Sequence, residues 1–161
     1  MDSDFLLALV SRWIHIGTAI ILIGGTFYMR MVVLPSVPAG SDELLSAMRK
    51  RWQRFLHPGI AAFLLSGFYN FMRGMAEHSH DRLYHPLIGT KILLALVIFF
   101  LASALTGRSA GTQKFRDNPR RWLGVILLLA AIIVGISGLV KVRGTSATTT
   151  EPAAESSDQS E

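Results

Sequence analysis

The residue whose position points most directly to chemistry is His15, which lies inside a long apolar stretch near the start of the chain. Residues 12–30 read RWIHIGTAIILIGGTFYMR. An imidazole can ligate a metal or transfer a proton, and an ionisable group inside a membrane-spanning segment is a functional candidate by default. The alternative is a core histidine hydrogen-bonded to a neighbouring helix. We expect a ligand or proton-transfer role for His15.

Lys91 is the second candidate, because it lies about six residues into a later apolar segment. A lysine at this depth must extend towards the surface, lose its proton or contact an anion. With Arg12, Arg73, Arg82 and Lys141 it is predicted to form a cationic rim around a cavity that contains His15. An apolar dianion, such as a porphyrin with two propionates, suits such a site. The alternative for Lys91 is a contact with lipid phosphate.

Depth separates the other histidines in the apolar segments. At a helical rise of about 1.5 Å per residue, His57 is expected about 20 Å or more from His15 and His85 along the membrane normal. One iron or copper ion can therefore bind His15 together with His85, but not His15 together with His57.

The remaining metal-ligating residues are less specific. His78, His80 and Asp81 form a cluster that resembles a zinc or copper site, although two histidines in an exposed loop usually have no metal. Methionine can ligate haem iron or Cu(I), but in an apolar helix it usually serves packing. The methionines concerned are Met29, Met31, Met72 and Met75.

Four apolar blocks are predicted to position these side chains. The mean hydropathy is +0.40, half of the residues are apolar and only 17% are charged, against roughly 25% in soluble domains. Each block is long enough to cross a bilayer. We predict an all-α integral membrane protein, an antiparallel four-helix bundle in residues 1–143. Its transmembrane helices are predicted at about residues 5–34, 55–75, 85–105 and 119–141, with a disordered acidic tail at 144–161.

The charge distribution predicts the orientation in the membrane. Residues 41–54 are predicted as a basic amphipathic helix in the headgroup layer. Ten of the sixteen lysines and arginines fall on the side of the first and third loops, which predicts that side as cytoplasmic. We expect a multi-pass protein of the inner (cytoplasmic) membrane with both termini on the non-cytoplasmic side, in contact with lipid and not with nucleic acid. The absence of cysteine excludes disulfides, thiolate ligands and iron–sulfur clusters.

The first apolar stretch resembles a known family. His15, Gly25, Phe27, Tyr28 and Arg30 are similar to the first-helix signature of the HemJ-type protoporphyrinogen oxidases, roughly H-x9-G-x-[FL]-Y-x-x-R, with the arginine one position early. The resemblance covers about residues 12–142 and extends to the CopD-like copper-resistance membrane domains.

Two later segments belong to the same resemblance. Residues 51–59, a basic-aromatic run that ends in Pro58–Gly59, are similar to the entry of the family's second conserved helix. His85 to Lys91 lies where the family has an H-x-K-L element. Leu22 stands where the family has tryptophan, and residues 32–35 are closer to the CopD-like pattern.

The resemblance implies haem b or a porphyrin bound within the bundle, with His15 as axial ligand to the iron. His85, Arg73 and Lys91 are the further cofactor-binding candidates, Lys91 and Arg73 for the propionates, and Lys91 is also the catalytic candidate. In the oxidase, protoporphyrinogen loses hydrogen and the electrons pass to a respiratory-chain or quinone acceptor. The alternatives are a copper transporter in which His15 binds copper, and a non-catalytic membrane assembly protein. In each of these cases a homo-oligomer is compatible with the sequence.

Overall fold

Every residue that the structure describes belongs to a helix or to a short link between helices. The computed structural model describes residues 2–77, 84–107 and 109–148, and the side chains of residues 2–75, 86–107 and 109–139 among these. Within those ranges there is no strand, so the all-α class is confirmed. The tail predicted as disordered comprises residues 144–161, of which 144–148 form the end of the last helix (Pro119–Thr148) and 149–161 lie outside the described residues.

The helices follow one another in the order α1 to α6. Helix α1 (Ser3–Tyr28) continues through a π-helical turn (Met29–Val33) into the short α2 (Leu34–Ser36). Gly40, at a φ of +87°, then makes the turn towards α3, because this left-handed conformation is accessible to glycine without strain. The elements that follow are α3 (Asp42–Glu77), α4 (Tyr84–Thr106), a 3-10 turn (Ala110–Thr112), α5 (Gln113–Asp117) and α6 (Pro119–Thr148).

Three segments are long and apolar enough to cross a membrane: Ser3–Ser36, Pro86–Thr106 and Pro119–Leu139. Large apolar side chains on α1 point outwards, among them Trp13, Ile20 and Ile21. A helix that is apolar on its outer as well as its inner face fits a hydrocarbon environment. The predicted membrane character is therefore supported by these three helices.

Helix α3 differs from the prediction. The expected headgroup-layer helix at 41–54 and the expected span at 55–75 form one continuous helix of 36 residues, about 54 Å long. Pro58 lies inside this helix and not in the first turn of a separate one. Polar residues such as His57 and Asn70 lower the mean hydropathy of the second half of α3. Helix α3 is not among the three candidate spans.

Helices α1 and α3 pack antiparallel along most of their length. Near the start of α1, Arg73 Nη1 donates to the Asp4 carbonyl over 3.1 Å. Further along, Leu22 covers Gly59, and the indole of Trp52 lies directly on Gly25. Small residues let the two backbones approach closely, as is usual between helices in membranes.

A second helix pair completes the described fold. Leu101, Ala104 and Leu105 of α4 form a buried cluster with Phe115 and Ile126. Contacts join α1 to α3, α3 to α4, α4 to α6 and α6 to α1, so the four long helices are neighbours in a closed ring.

Two side-chain contacts show how the helix pairs are connected. The rings of Phe63 and Phe99 meet edge to face at a centroid distance of 5.3 Å. Arg30 Nε donates to the Arg120 carbonyl over 3.0 Å, and its guanidinium crosses Gly124. The first contact links α3 to α4, and the second links the end of α1 to α6.

We predict that Gly25→Ala destabilises the fold, whereas Gly24→Ala does not. A Cβ at position 25 would overlap the ring of Trp52, but one at position 24 meets open space. Overpacking of this kind costs about 1–3 kcal/mol, while alanine in an open helical position gains about 0.5–1 kcal/mol. Thermal unfolding in detergent should show a lower Tm for Gly25→Ala alone. Equal Tm values for the two variants would contradict the proposed glycine–tryptophan contact.

Candidate functional site

The imidazole of His15 is anchored on α3. Its Nδ1 lies 3.2 Å from the Phe63 carbonyl oxygen and 3.3 Å from Ser66 Oγ. A carbonyl can only accept a hydrogen bond, so the contact with Phe63 is a hydrogen bond in the tautomer that carries the proton on Nδ1. In the neutral imidazole this leaves Nε2 with its lone pair, the atom that a metal ligand requires.

Two serines complete the polar contacts around this histidine. The hydroxyl of Ser66, a buried side chain, donates to the Ala62 carbonyl over 2.7 Å, so its lone pairs face the His15 N–H. Ser11 Oγ donates to the Ser66 carbonyl over 3.2 Å. The side chains of His15 and Ser66 are thus in contact, and Ser11 adds a hydrogen bond to the backbone of Ser66, inside an otherwise apolar interface between α1 and α3.

Phe63 and Gly67 define the walls against which the imidazole ring packs. The rings of His15 and Phe63 lie 3.9 Å apart, at an interplanar angle of 31°. A Cβ on residue 67 would lie only 2.9 Å from His15 Cε1, closer than carbon atoms normally approach. The site therefore requires glycine at position 67 to keep the ring in this orientation.

Lys91, the second predicted site residue, lies on the same side of the fold as His15. Its side chain is half-buried on α4, a helix that contacts α3, which carries the hydrogen-bond partners of His15. The structure thus brings an apolar-segment lysine from α4 towards a histidine on α1. No acidic residue forms an ion pair with Lys91 within the ranges that the structure describes.

The other predicted cofactor residues are less completely defined. Arg73 is exposed and ties the end of α3 to the Asp4 carbonyl. His85 lies in the first turn of α4, but its side chain is outside the described part. The predicted metal cluster at residues 78–81 and the rim cation Arg82 lie outside the described residues altogether, as does the side chain of Lys141.

The residues that hold His15 were not predicted from the sequence. Ser11, Phe63, Ser66 and Gly67 are ordinary members of apolar helices. The one available signal was the adjacent small pair Ser66–Gly67 on α3, because a small surface is what a neighbouring ring needs. Among the described residues, no group of three or more histidine, aspartate or glutamate side chains is arranged to hold a metal ion.

The arrangement fits one axial ligand to a haem iron. Histidines that ligate metals usually donate the other ring N–H to a carbonyl or carboxylate, which fixes the tautomer and orients the ring. His15 makes this bond to the Phe63 carbonyl.

Comparison with models of protein families, with curated proteins and with solved structures finds no match to the chain.

The tautomer of His15 can be tested directly. We predict that ¹⁵N NMR of histidine-labelled protein in detergent shows a protonated Nδ1 and an unprotonated Nε2 at His15, assigned by loss of the signal in His15→Gln. Gly67→Ala should shift this signal, because the new Cβ would lie 2.9 Å from Cε1 and would displace the ring from the Phe63 carbonyl. A His15 signal protonated at Nε2 would contradict the hydrogen bond described here.

Proposed function

We propose that the chain is an integral membrane protein that binds haem b or a porphyrin, with His15 Nε2 as axial ligand to the iron. The observation that carries the proposal is the Nδ1–H bond of His15 to the Phe63 carbonyl, at 3.2 Å. This bond orients the ring and assigns Nε2 the free lone pair. The same pattern, an oriented imidazole in an apolar helix, suits a cofactor that is itself largely apolar.

Charge near the histidine supports a ligand with carboxylates. Lys91 is half-buried on α4, so an anion beside it would offset the cost of placing an ammonium in an apolar segment. Arg73, which uses one N–H on the Asp4 carbonyl, is the second proposed propionate partner. His85 is retained as a cofactor-binding candidate because it begins the helix that carries Lys91.

The chain's own residues have distinct roles in this proposal. The bound haem supplies the redox chemistry. His15 would hold the iron through Nε2, and the packing of Phe63 and Gly67 against its ring fixes the orientation of that ring. Lys91 is also the proposed catalytic residue, because its ammonium would hold a carboxylate of the substrate while hydrogen is lost and the released protons pass to solvent. The reaction class is oxidation of a porphyrinogen, with electrons delivered to a quinone or another respiratory-chain acceptor.

Haem binding is tested by a reduced-minus-oxidised absorption spectrum of the protein purified in detergent. We predict a b-type spectrum in the wild type and a loss of roughly tenfold or more in bound haem for His15→Ala. His57→Ala is the matched control, because His57 is an exposed histidine whose Nδ1 bonds only to the Gln53 carbonyl, 3.2 Å away. That variant should retain the wild-type spectrum.

Each other result of this experiment has a defined meaning. A wild-type protein without a Soret band contradicts haem binding, and a band that survives His15→Ala removes His15 as the ligand. Haem bound normally, but without rescue of a strain that lacks protoporphyrinogen oxidase, indicates an electron carrier and contradicts the oxidase. A deletion that changes copper-dependent growth, with no haem bound, favours copper transport.

We also propose that α3 is a fourth transmembrane helix, so that α1, α3, α4 and α6 form an antiparallel membrane bundle. The α1–α3 interface extends from Asp4 against Arg73 to Gly25 against Trp52. On α1 this distance is 21 residues, about 32 Å at the helical rise, which matches the hydrocarbon thickness of about 30 Å. A helix that lies alongside α1 over this length crosses the same layer.

Single cysteines test this topology, because the chain has no cysteine of its own. Ser3→Cys, Ser46→Cys and Met75→Cys each place a thiol at an exposed position. With a membrane-impermeant maleimide on intact cells, we predict labelling at positions 3 and 75 but not at position 46. All three should react after the membrane is opened. Labelling of positions 46 and 75 from the same side would show that α3 does not cross.

A further inference from the structure

At the end of α1 opposite Asp4, the four long helices enclose a cavity. Thr26 on α1 is 11 residues from His15, about 16 Å along the helix in the direction away from Asp4, and none of the residues that line the cavity belongs to the candidate haem site. Its walls come from all four long helices and the links at their ends. The lining residues are Thr26, Met29, Leu34, Leu45, Arg49, Trp52, Ala102, Leu105, Thr106, Pro119, Leu123 and Ile126.

Arg49 is the one charged side chain among these residues. It is half-buried, and no residue in the described ranges offers it a hydrogen bond or an ion pair. The hydroxyls of Thr26 and Thr106 donate to the carbonyls of Leu22 and Ala102 in their own helices. The threonine protons are thus already used, and the unmatched polar group at the cavity is the Arg49 guanidinium.

An unmatched guanidinium beside an apolar cavity favours an anionic partner. A planar fork of N–H donors binds carboxylate or phosphate oxygens with two parallel hydrogen bonds, and such bonds strengthen when water is excluded. Most of the other lining residues are apolar, among them Trp52, Leu105 and Ile126. A ligand that satisfies both parts has an anionic head and an alkyl body.

The size of the cavity limits that body to a chain. Its free volume is about 70 Å³, well below the roughly 300–1,000 Å³ of sites for ring-shaped small molecules. A porphyrin macrocycle does not fit this space, but a short segment of an alkyl chain does. The cavity also lies where α1 ends and α3 begins, the level at which a spanning helix meets lipid headgroups.

We infer that this cavity is a binding site for an acyl chain with an anionic head, taken up from the bilayer and held by Arg49. The head is a carboxylate, as in a fatty acid, or a phosphodiester, as in an anionic phospholipid. The inference does not involve His15, Lys91 or a haem, so it stands or fails independently of the proposed function.

Trp52 provides the readout, because its ring lines the cavity. The chain has three tryptophans, and the double variant Trp13→Phe, Trp122→Phe leaves Trp52 as the single fluorophore. In this full-length background, purified in a neutral detergent, dibromostearate and brominated phosphatidylglycerol are titrated separately. We expect saturable quenching of Trp52 fluorescence by at least one of them, and the tighter ligand identifies the head. Brominated phosphatidylcholine, which has no net charge, should quench only in proportion to its share of the micelle.

Two arginines two residues apart give the matched comparison. Arg49→Gln should raise the half-saturating concentration roughly tenfold or more, since a charge-assisted hydrogen bond is lost. Arg51→Gln removes the same charge from an exposed position of α3 and should change that concentration by less than about twofold. Ala102→Phe, which fills the cavity, should abolish saturation. Quenching that never saturates, or equal titrations for Arg49→Gln and Arg51→Gln, would overturn the inference.

Discussion

The close antiparallel contact between α1 and α3 governs the remaining architecture. The absence of a side chain at Gly25, Gly59 and Gly67 makes room for a ring or a branched side chain of the opposite helix. These side chains are those of Trp52, Leu22 and His15, respectively. Attraction between helices in lipid comes from packing and hydrogen bonds, because lipid tails are as apolar as leucine. The polar cluster of Ser11, His15 and Ser66 is therefore held by the same small residues that permit the approach.

The packing of α1 on α3 also explains why the hydrogen-bond partners of the His15 ring all come from α3. The backbone carbonyl of Phe63 accepts the His15 N–H, so a helix wall orients the ring without any acidic residue. Lys91 belongs to α4, a helix that contacts α3 but packs mainly against α6. Assembly of the site thus requires both helix pairs, and the stability of each pair separately does not guarantee the relative placement of His15 and Lys91.

Much of the fold could be predicted from the sequence because it depends on composition and chain length. The apolar blocks, the proline and glycine turn before α3 and the proline start of α6 are local signals. The contact of Trp52 with Gly25 and that of His15 with Gly67 are not, because each joins residues far apart in the chain. The continuity of α3 through Pro58 was missed because proline was read as a helix-start signal, whereas tertiary packing on α1 maintains the helix across it. At the site, His15 and Lys91 were recognisable as charges in apolar segments, but their partners were uncharged and had no such signal.

The unbroken length of α3 has a mechanical consequence. Leu45, Arg49 and Trp52 lie on the same continuous helix as Phe63, Ser66 and Gly67. One element therefore supplies both a wall of the cavity and the carbonyl that contacts His15. A substitution that shifts α3 on α1 would disturb the cavity and the histidine together, whichever of the two it lies closer to.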